Sequence, residues 1–155
     1  MTLGALETRV PPPVVALVAA LAMPAGRWLG DGLPLDRSWR IGIAVVLVAA
    51  GFALAVPAVL SFRRARTTIN PHRIERASAL VTSGVFGLTR NPMYLGLALQ
   101  LTGWAVLLGT LSAFLGPVLF AAWITRFQIV PEERLLAERF GDDFHAWRRR
   151  VRRWI

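Results

Sequence analysis

Two short stretches carry residue types that could do chemistry. "TRNPMYLG", Thr89 to Gly96, sets an arginine, an asparagine and a tyrosine around one proline. "PEER", Pro131 to Arg134, puts Glu132 and Glu133 side by side. Free N–H groups at a helix start can hold a carboxylate or phosphate, and Arg90 can add a charge-assisted contact. Gly84 and Gly87, just upstream in "SGVFG", allow backbone to approach a ligand closely. The paired carboxylates, with Arg126 nearby, can hold a cationic or hydroxyl-bearing group. Helix grammar explains the same residues without a ligand. Asparagine is a favoured N-cap, proline suits the first helical position, and acidic residues suit a helix start. Both readings stand at this level.

The other clusters are weaker. Thr67, Thr68, Asn70 and His72 surround Pro71, where turn chemistry accounts for them. His72 and His145 lie far apart and cysteine is absent, so no metal site is expected and thiolate or disulfide chemistry is excluded. No G-x-G-x-x-G follows a strand pattern, so no Rossmann domain is expected.

The elements that must position these residues are apolar helices. Hydrophobic residues make up 55% of the 155-residue chain, and the mean hydropathy is +0.51. Apolar runs cover Val14 to Met23, Ile41 to Phe62, Met93 to Leu108 and Phe114 to Val130. The second has no charge and is long enough to cross a bilayer, which takes about 20 residues. The first is short and stops at Pro24. With its flanking prolines and Trp28-Leu29 it reads as a tilted or interrupted helix. A cleavable leader ending near Ala20-Leu21-Ala22 is the competing reading, weakened by Glu7 beside Arg9. Pro57 is expected to kink the second helix without ending it. "GTLS" joins the third and fourth runs as an antiparallel hairpin, and Pro131 opens the charged, amphipathic C-terminal helices, with a break at Gly141.

The formal charge of +9 rests on arginine alone. The arginines flank the apolar runs, which argues for orientation and anionic headgroups rather than nucleic acid. Arg63 to Arg90 and everything from Arg134 onward fall on one side, while the hairpin tip carries none. The positive-inside rule then puts that side, and both termini, in the cytoplasm. The expectation is an all-α polytopic membrane bundle of about four transmembrane helices. Residues 1–62 form an N-terminal pair. Residues 63–155 divide into a cytoplasmic loop (63–91), a helical hairpin (92–130) and C-terminal cytoplasmic or interfacial helices (131–155).

Taken together, "TTINP", "LVTSGVFGLTRNPMYLG" and "PEERLLAERFGDDFHAWRRRVRRW" resemble the isoprenylcysteine carboxyl methyltransferase and phospholipid methyltransferase superfamily. The likeness lies at Thr67–Pro71, Gly84–Gly96 and Glu132–Trp147, within residues 63–155. It implies an S-adenosylmethionine site between membrane helices and the cytoplasmic segment. Carried over by residue, the backbone of Gly84, Val85, Phe86 and Gly87, with Arg90, Asn91, Pro92, Tyr94 and Gly96, would contact the cofactor. Glu132 or Glu133 would hold its polar end or the acceptor, and Phe140 and Trp147 would line the adenine side. Glu133 and Arg126 receive the catalytic roles, Arg126 from position more than motif. Asn91 stands where many carboxyl methyltransferases have histidine, and Phe86 and Phe144 where tyrosine is frequent.

The resemblance therefore implies a methyltransferase of the bacterial inner membrane, its active site facing the cytoplasm. Its acceptor would be hydrophobic or lipid-like, either the carboxylate of a prenylated thiol compound or a lipid amine. An NADPH-dependent reductase of the sterol-reductase type and a non-enzymatic membrane scaffold are the rival readings.

Overall fold

The computed structural model describes residues 10–29, 32–65 and 79–155. The "TTINP" block and His72 lie outside the described residues. Helix α1 spans Pro12–Ala22 and continues as a 3-10 turn, Met23–Leu29. The long helix α2 is Arg37–Arg64. A 3-10 turn at Gly84–Gly87 precedes α3, Pro92–Leu108. A third 3-10 turn, Ser112–Phe114, leads to α4, Leu115–Ile124, then a π-helical turn, Thr125–Ile129, and α5, Val130–Arg150. No strand occurs among the described residues.

Two continuous helices are long and apolar enough to cross a membrane: Arg37–Arg64 and Ser112–Arg150. Pro12–Gly26 and Pro92–Leu108 are shorter apolar helices. The first run is interrupted as expected, passing from α-helix to the 3-10 turn at Met23. The second is longer than expected at both ends, and Pro57 lies inside it without ending it.

Helices α2 and α3 pack through small residues. Ala44, Gly51 and Ala58 are the buried positions of α2, and Gly96 and Gly103 are buried on α3. Spacing by seven returns each set to one helix face. A β-carbon on Gly51 would lie 2.6 Å from the Gly96 carbonyl oxygen, and one on Gly96 would lie 2.6 Å from the Gly51 carbonyl oxygen. Gly103 rests on the Ala44 carbonyl in the same way, at 3.1 Å. In a hydrocarbon solvent this close approach, rather than hydrophobic burial, holds helices together. The other faces of α2 leave Val45, Val46, Phe52 and Val56 exposed, as lipid contact requires.

The hairpin turns at Gly109, whose left-handed φ of 70° lets its N–H close on Ala105 and Val106. The Arg40 guanidinium occupies the space a β-carbon there would take. Beyond it, Pro131 does not separate two helices. The helix runs on through it because the wider π turn lies immediately before it. A proline lacks an N–H and crowds the carbonyl four residues back, here that of Phe127 inside the π turn. The expected break at Gly141 is present, with φ 47° and ψ −120°.

Two apolar clusters result. Tyr94, Leu101, Phe120, Ile124 and Ile129 join α3, α4 and the π turn, with Ala16 and Met23 against them. Ala58, Phe86, Phe144, Trp147 and Val151 bind the Gly84–Gly87 turn and α5 to the end of α2. The candidate chemistry lies where these clusters meet.

Candidate functional site

Pro92 begins α3, as its missing N–H allows. Asn91 precedes it, yet its side chain makes no cap bond. Its amide Nδ2 donates instead to the Arg153 carbonyl at 3.0 Å. This corrects the N-cap expectation. The chain after α5 folds back over the start of α3 and offers carbonyls that local sequence cannot supply. The Thr89 hydroxyl donates to the same Arg153 carbonyl at 3.1 Å, and the Arg90 backbone N–H donates to Arg152 O at 3.0 Å.

The Arg90 side chain is almost fully enclosed, 8% exposed. Nη2 donates to Glu133 Oε1 at 2.6 Å, and Nη1 donates to the Val151 and Arg148 carbonyls at 2.7 and 3.1 Å. Arg153 closes on the same carboxylate, Nη2 to Oε2 at 2.7 Å and Nε to Oε1 at 3.1 Å. Hydrogen bonding to Glu133 raises the Arg153 guanidinium above its ordinary range, so it stays charged. Arg90 Nε is buried without a partner among the described residues.

One residue earlier in the chain the surroundings change. Glu132 Oε1 accepts the Tyr94 hydroxyl at 2.7 Å and Gln128 Nε2 at 2.6 Å. Tyr94 and Gln128 are buried, while Glu132 is only half-buried. The π turn supplies Gln128 from one side and α3 supplies Tyr94 from the other. Trp154 Nε1 then donates to Thr125 Oγ1 at 3.1 Å, tying the returning segment to the π turn.

The aromatic residues form a separate wall. Trp147 Nε1 donates to the Phe86 carbonyl at 3.0 Å. The Phe86 ring packs against Trp147 and edge-on against Phe62. Phe140 is half-buried beside this cluster.

The fold thus joins Arg90 to Glu133, Tyr94 to Glu132 and Phe86 to Trp147, and it seats Asn91 and Pro92 in the same knot. Gly84 takes a left-handed φ of 63°, and among the described residues no atom lies within 4 Å of a β-carbon added to it or to Gly87. Val85 is half-buried beside them. Gly96 is placed against Gly51, so its open face receives a helix backbone. Arg126 is exposed, with its guanidinium 5.4 Å from the centre of the Phe127 ring.

Sequence reading missed Gln128, Thr89, Arg153 and Trp154. Gln128 left a signal, an amide inside an apolar run four residues before a carboxylate. The others left none, because their partners lie far away in the chain. Among the described residues no group of acidic or histidine side chains has metal-binding geometry.

Comparisons with known proteins bear on the same region. Over 63 residues the chain is 43% identical to an uncharacterized protein of Haemophilus influenzae, covering 41% of this chain and all of that protein. It is 33% identical over 75 residues to the protein-S-isoprenylcysteine O-methyltransferase of Schizosaccharomyces pombe. That match covers 46% of this chain and 30% of the yeast enzyme. No solved structure matches. The phospholipid methyltransferase family profile matches residues 39–143, which run from α2 through the Arg90–Glu133 and Tyr94–Glu132 pairs into α5. With well over half its length inside that profile, the chain belongs to the phospholipid methyltransferase family.

Proposed function

We propose that the protein is an integral membrane methyltransferase that moves a methyl group from S-adenosylmethionine to a hydrophobic or lipid-like acceptor. The observation that carries this reading is the joining of two distant motif blocks, Thr89–Gly96 and Glu132–Glu133, into one hydrogen-bonded cluster in a chain of this family. The four apolar helices form the bundle. Arginines gather at the end that holds the cluster, Arg63 and Arg64 on α2 and Arg148, Arg149 and Arg150 on α5. By the positive-inside rule this gathering supports the reading that that end faces the cytoplasm, in a bacterial inner membrane.

The residues fit the donor. The unpartnered, buried Arg90 Nε suits an anionic group such as the donor's carboxylate. The open backbone at Gly84 and Gly87 and the aromatic wall of Phe86, Trp147 and Phe140 suit its adenosine. Asn91, Pro92 and Tyr94 shape the floor, and Gly96 lets α3 stand close to α2. When bound, the donor supplies an electrophilic methyl on a sulfonium that already leaves well. The chain's task is therefore alignment and exclusion of water rather than strong acid–base activation of the donor. Glu133, fixed by Arg90 and Arg153, holds the returning segment over the site, and Arg126 at the exposed rim orients the acceptor headgroup.

The test is calorimetry of detergent-purified protein with S-adenosylhomocysteine and, in parallel, NADPH. Saturable binding of S-adenosylhomocysteine, weakened by Arg90→Ala, is expected. Binding of NADPH alone would move the protein to reductase chemistry. Binding of neither by folded protein would leave a membrane scaffold.

A further inference from the structure

The end of the bundle away from the Arg90–Glu133 cluster carries charge that its surroundings oppose. Helix α2 begins there, beside the hairpin tip: the Leu33 N–H donates to the Gly109 carbonyl at 2.8 Å, and Gly32 pairs with Thr110. The first turn of α2 holds Arg37 and Arg40 and no acidic residue. A helix N-terminus is itself positive, so cations are unfavourable at that position. The positive-inside rule also disfavours arginine at the end opposite the arginine-rich one. A bound anion reverses both effects. Asp36, the residue before the helix, is exposed and its carboxylate makes no cap bond. The N–H groups of the first turn, which have no intrahelical acceptor, therefore keep their attraction for an anion.

Two enclosed polar atoms lie at the same place. The Arg40 guanidinium packs over Gly109, and its Nε is buried without a partner among the described residues. Arg40 as a whole is half-buried, so the side chain is fixed without being sealed off. The Thr110 hydroxyl is buried and unpartnered in the same sense, on a residue 8% exposed. A guanidinium with unused donors is well suited to phosphate oxygens. Trp28 and Trp39 stand exposed at this end, where interfacial indoles meet headgroups.

An apolar cleft starts beside this charge. It lies between α1 and α4, has a volume of about 350 Å³, and is walled by Val15 and Ala22 on one side and Leu115 and Trp123 on the other. Gly26 and Ser112 line it at the hairpin-tip end, where the Ser112 hydroxyl donates to the Gly26 carbonyl at 3.1 Å. Only three residues of chain separate Gly109, under the Arg40 guanidinium, from Ser112, a span of at most about 11 Å. A cation and a hydrocarbon-lined cleft at that separation match the two parts of one amphiphile.

We propose that this end of the bundle binds one anionic phospholipid of the leaflet opposite the Arg90–Glu133 cluster. Its phosphate is held by Arg40, Arg37 and the first N–H groups of α2, and one acyl chain lies in the cleft between α1 and α4. The lipid joins the short helix α1 to α2 and to the hairpin tip. The proposal goes beyond the methyltransferase reading and does not depend on it.

The experiment titrates the full chain, purified in an uncharged detergent, with dioleoylphosphatidylglycerol or dioleoylphosphatidylcholine and counts bound lipid by native mass spectrometry. The first phosphatidylglycerol is expected to bind at least about 10-fold more tightly than phosphatidylcholine, as one charge-assisted contact allows. Arg40→Gln should remove most of that preference and Arg40→Lys should keep most of it. Arg149→Gln, at an exposed arginine of the other end, should leave it unchanged. Ala22→Phe, which fills the cleft from an exposed position, should weaken both lipids. Should Arg40→Gln not fold, Arg37→Gln, at an exposed side chain, carries the same expectation.

Equal affinity of wild type for the two lipids overturns the proposal. So does a preference that survives in folded Arg40→Gln, or in Arg37→Gln where that variant stands in for it. A preference lost in Arg149→Gln would move the anionic contact to the arginine-rich end and overturn it as well. Displacement of phosphatidylglycerol by inorganic phosphate, with affinity untouched by Ala22→Phe, would show a free-anion site and overturn the lipid assignment. Each of these readouts is the same whether or not the protein binds S-adenosylhomocysteine.

Discussion

Arg90 and Glu133 meet at 2.6 Å across 43 residues of sequence, and Arg153 grips the same carboxylate from the other side. This three-membered cluster joins the start of α3 to α5 and to the segment that follows α5. Removing one partner of an enclosed pair leaves the other charge uncompensated, which costs more than the pair itself contributes. Glu133→Gln is therefore expected to destabilise the fold by about 3 kcal/mol. Arg153→Ala, with a side chain one-third exposed, should cost about 1 kcal/mol. Thermal unfolding in one detergent ranks them, and equal losses would contradict the enclosed geometry of Arg90.

The Gly51–Gly96 crossing gives a steric prediction. A side chain on either glycine must push two helix backbones apart, because the obstructing atoms are carbonyl oxygens rather than flexible side chains. Gly96→Val should lower stability by about 2 kcal/mol or more. Gly42→Val is the control: among the described residues nothing lies within 4 Å of an added β-carbon there. Matched melting curves for the two variants would refute this crossing.

Gly141 separates backbone strain from packing. Its φ of 47° with ψ −120° is a region that residues with a β-carbon avoid, yet open space surrounds it. Gly141→Ala should cost about 1–3 kcal/mol through strain alone. Gly87→Ala, equally open and without a positive φ, should be close to neutral. Denaturant unfolding in mixed micelles measures the difference, and a harmless Gly141→Ala would mean that α5 is unbroken there.

Trp154 and Thr125 fasten the returning segment to the π turn through one hydrogen bond of 3.1 Å. Trp154→Phe and Thr125→Val should each cost about 1 kcal/mol. The double variant should cost less than their sum, because both remove the same bond. Strict additivity in the double-mutant cycle would show that the two side chains act independently.

The sequence by itself determined the parts whose causes are local. Uncharged apolar runs become helices in lipid because each backbone N–H and C=O must be satisfied within its own segment. That logic places α2, α3 and α4 within a few residues. Pro92 starts α3 because proline carries no N–H to leave unpaired, and Gly141 breaks α5 because only glycine takes that backbone conformation without strain. Small residues in apolar helices permit close packing, and Gly51, Gly96 and Gly103 use it. Gly42 is equally small, yet among the described residues nothing lies within 4 Å of an added β-carbon there, since composition does not say which face meets a partner.

Tertiary structure alone decided the partners. Asn91 looks like a helix cap in its own sequence, but a carbonyl 62 residues away takes its amide. Pro131 looks like a boundary, but the π turn before it absorbs the missing hydrogen bond and lets the helix continue. The identical side chains of Glu132 and Glu133 become different groups because adjacent positions on a helix point in different directions. One turns to Arg90 and Arg153, the other to Tyr94 and Gln128. Residue type sets what a side chain can bind, and only the packing of distant segments sets what it does bind.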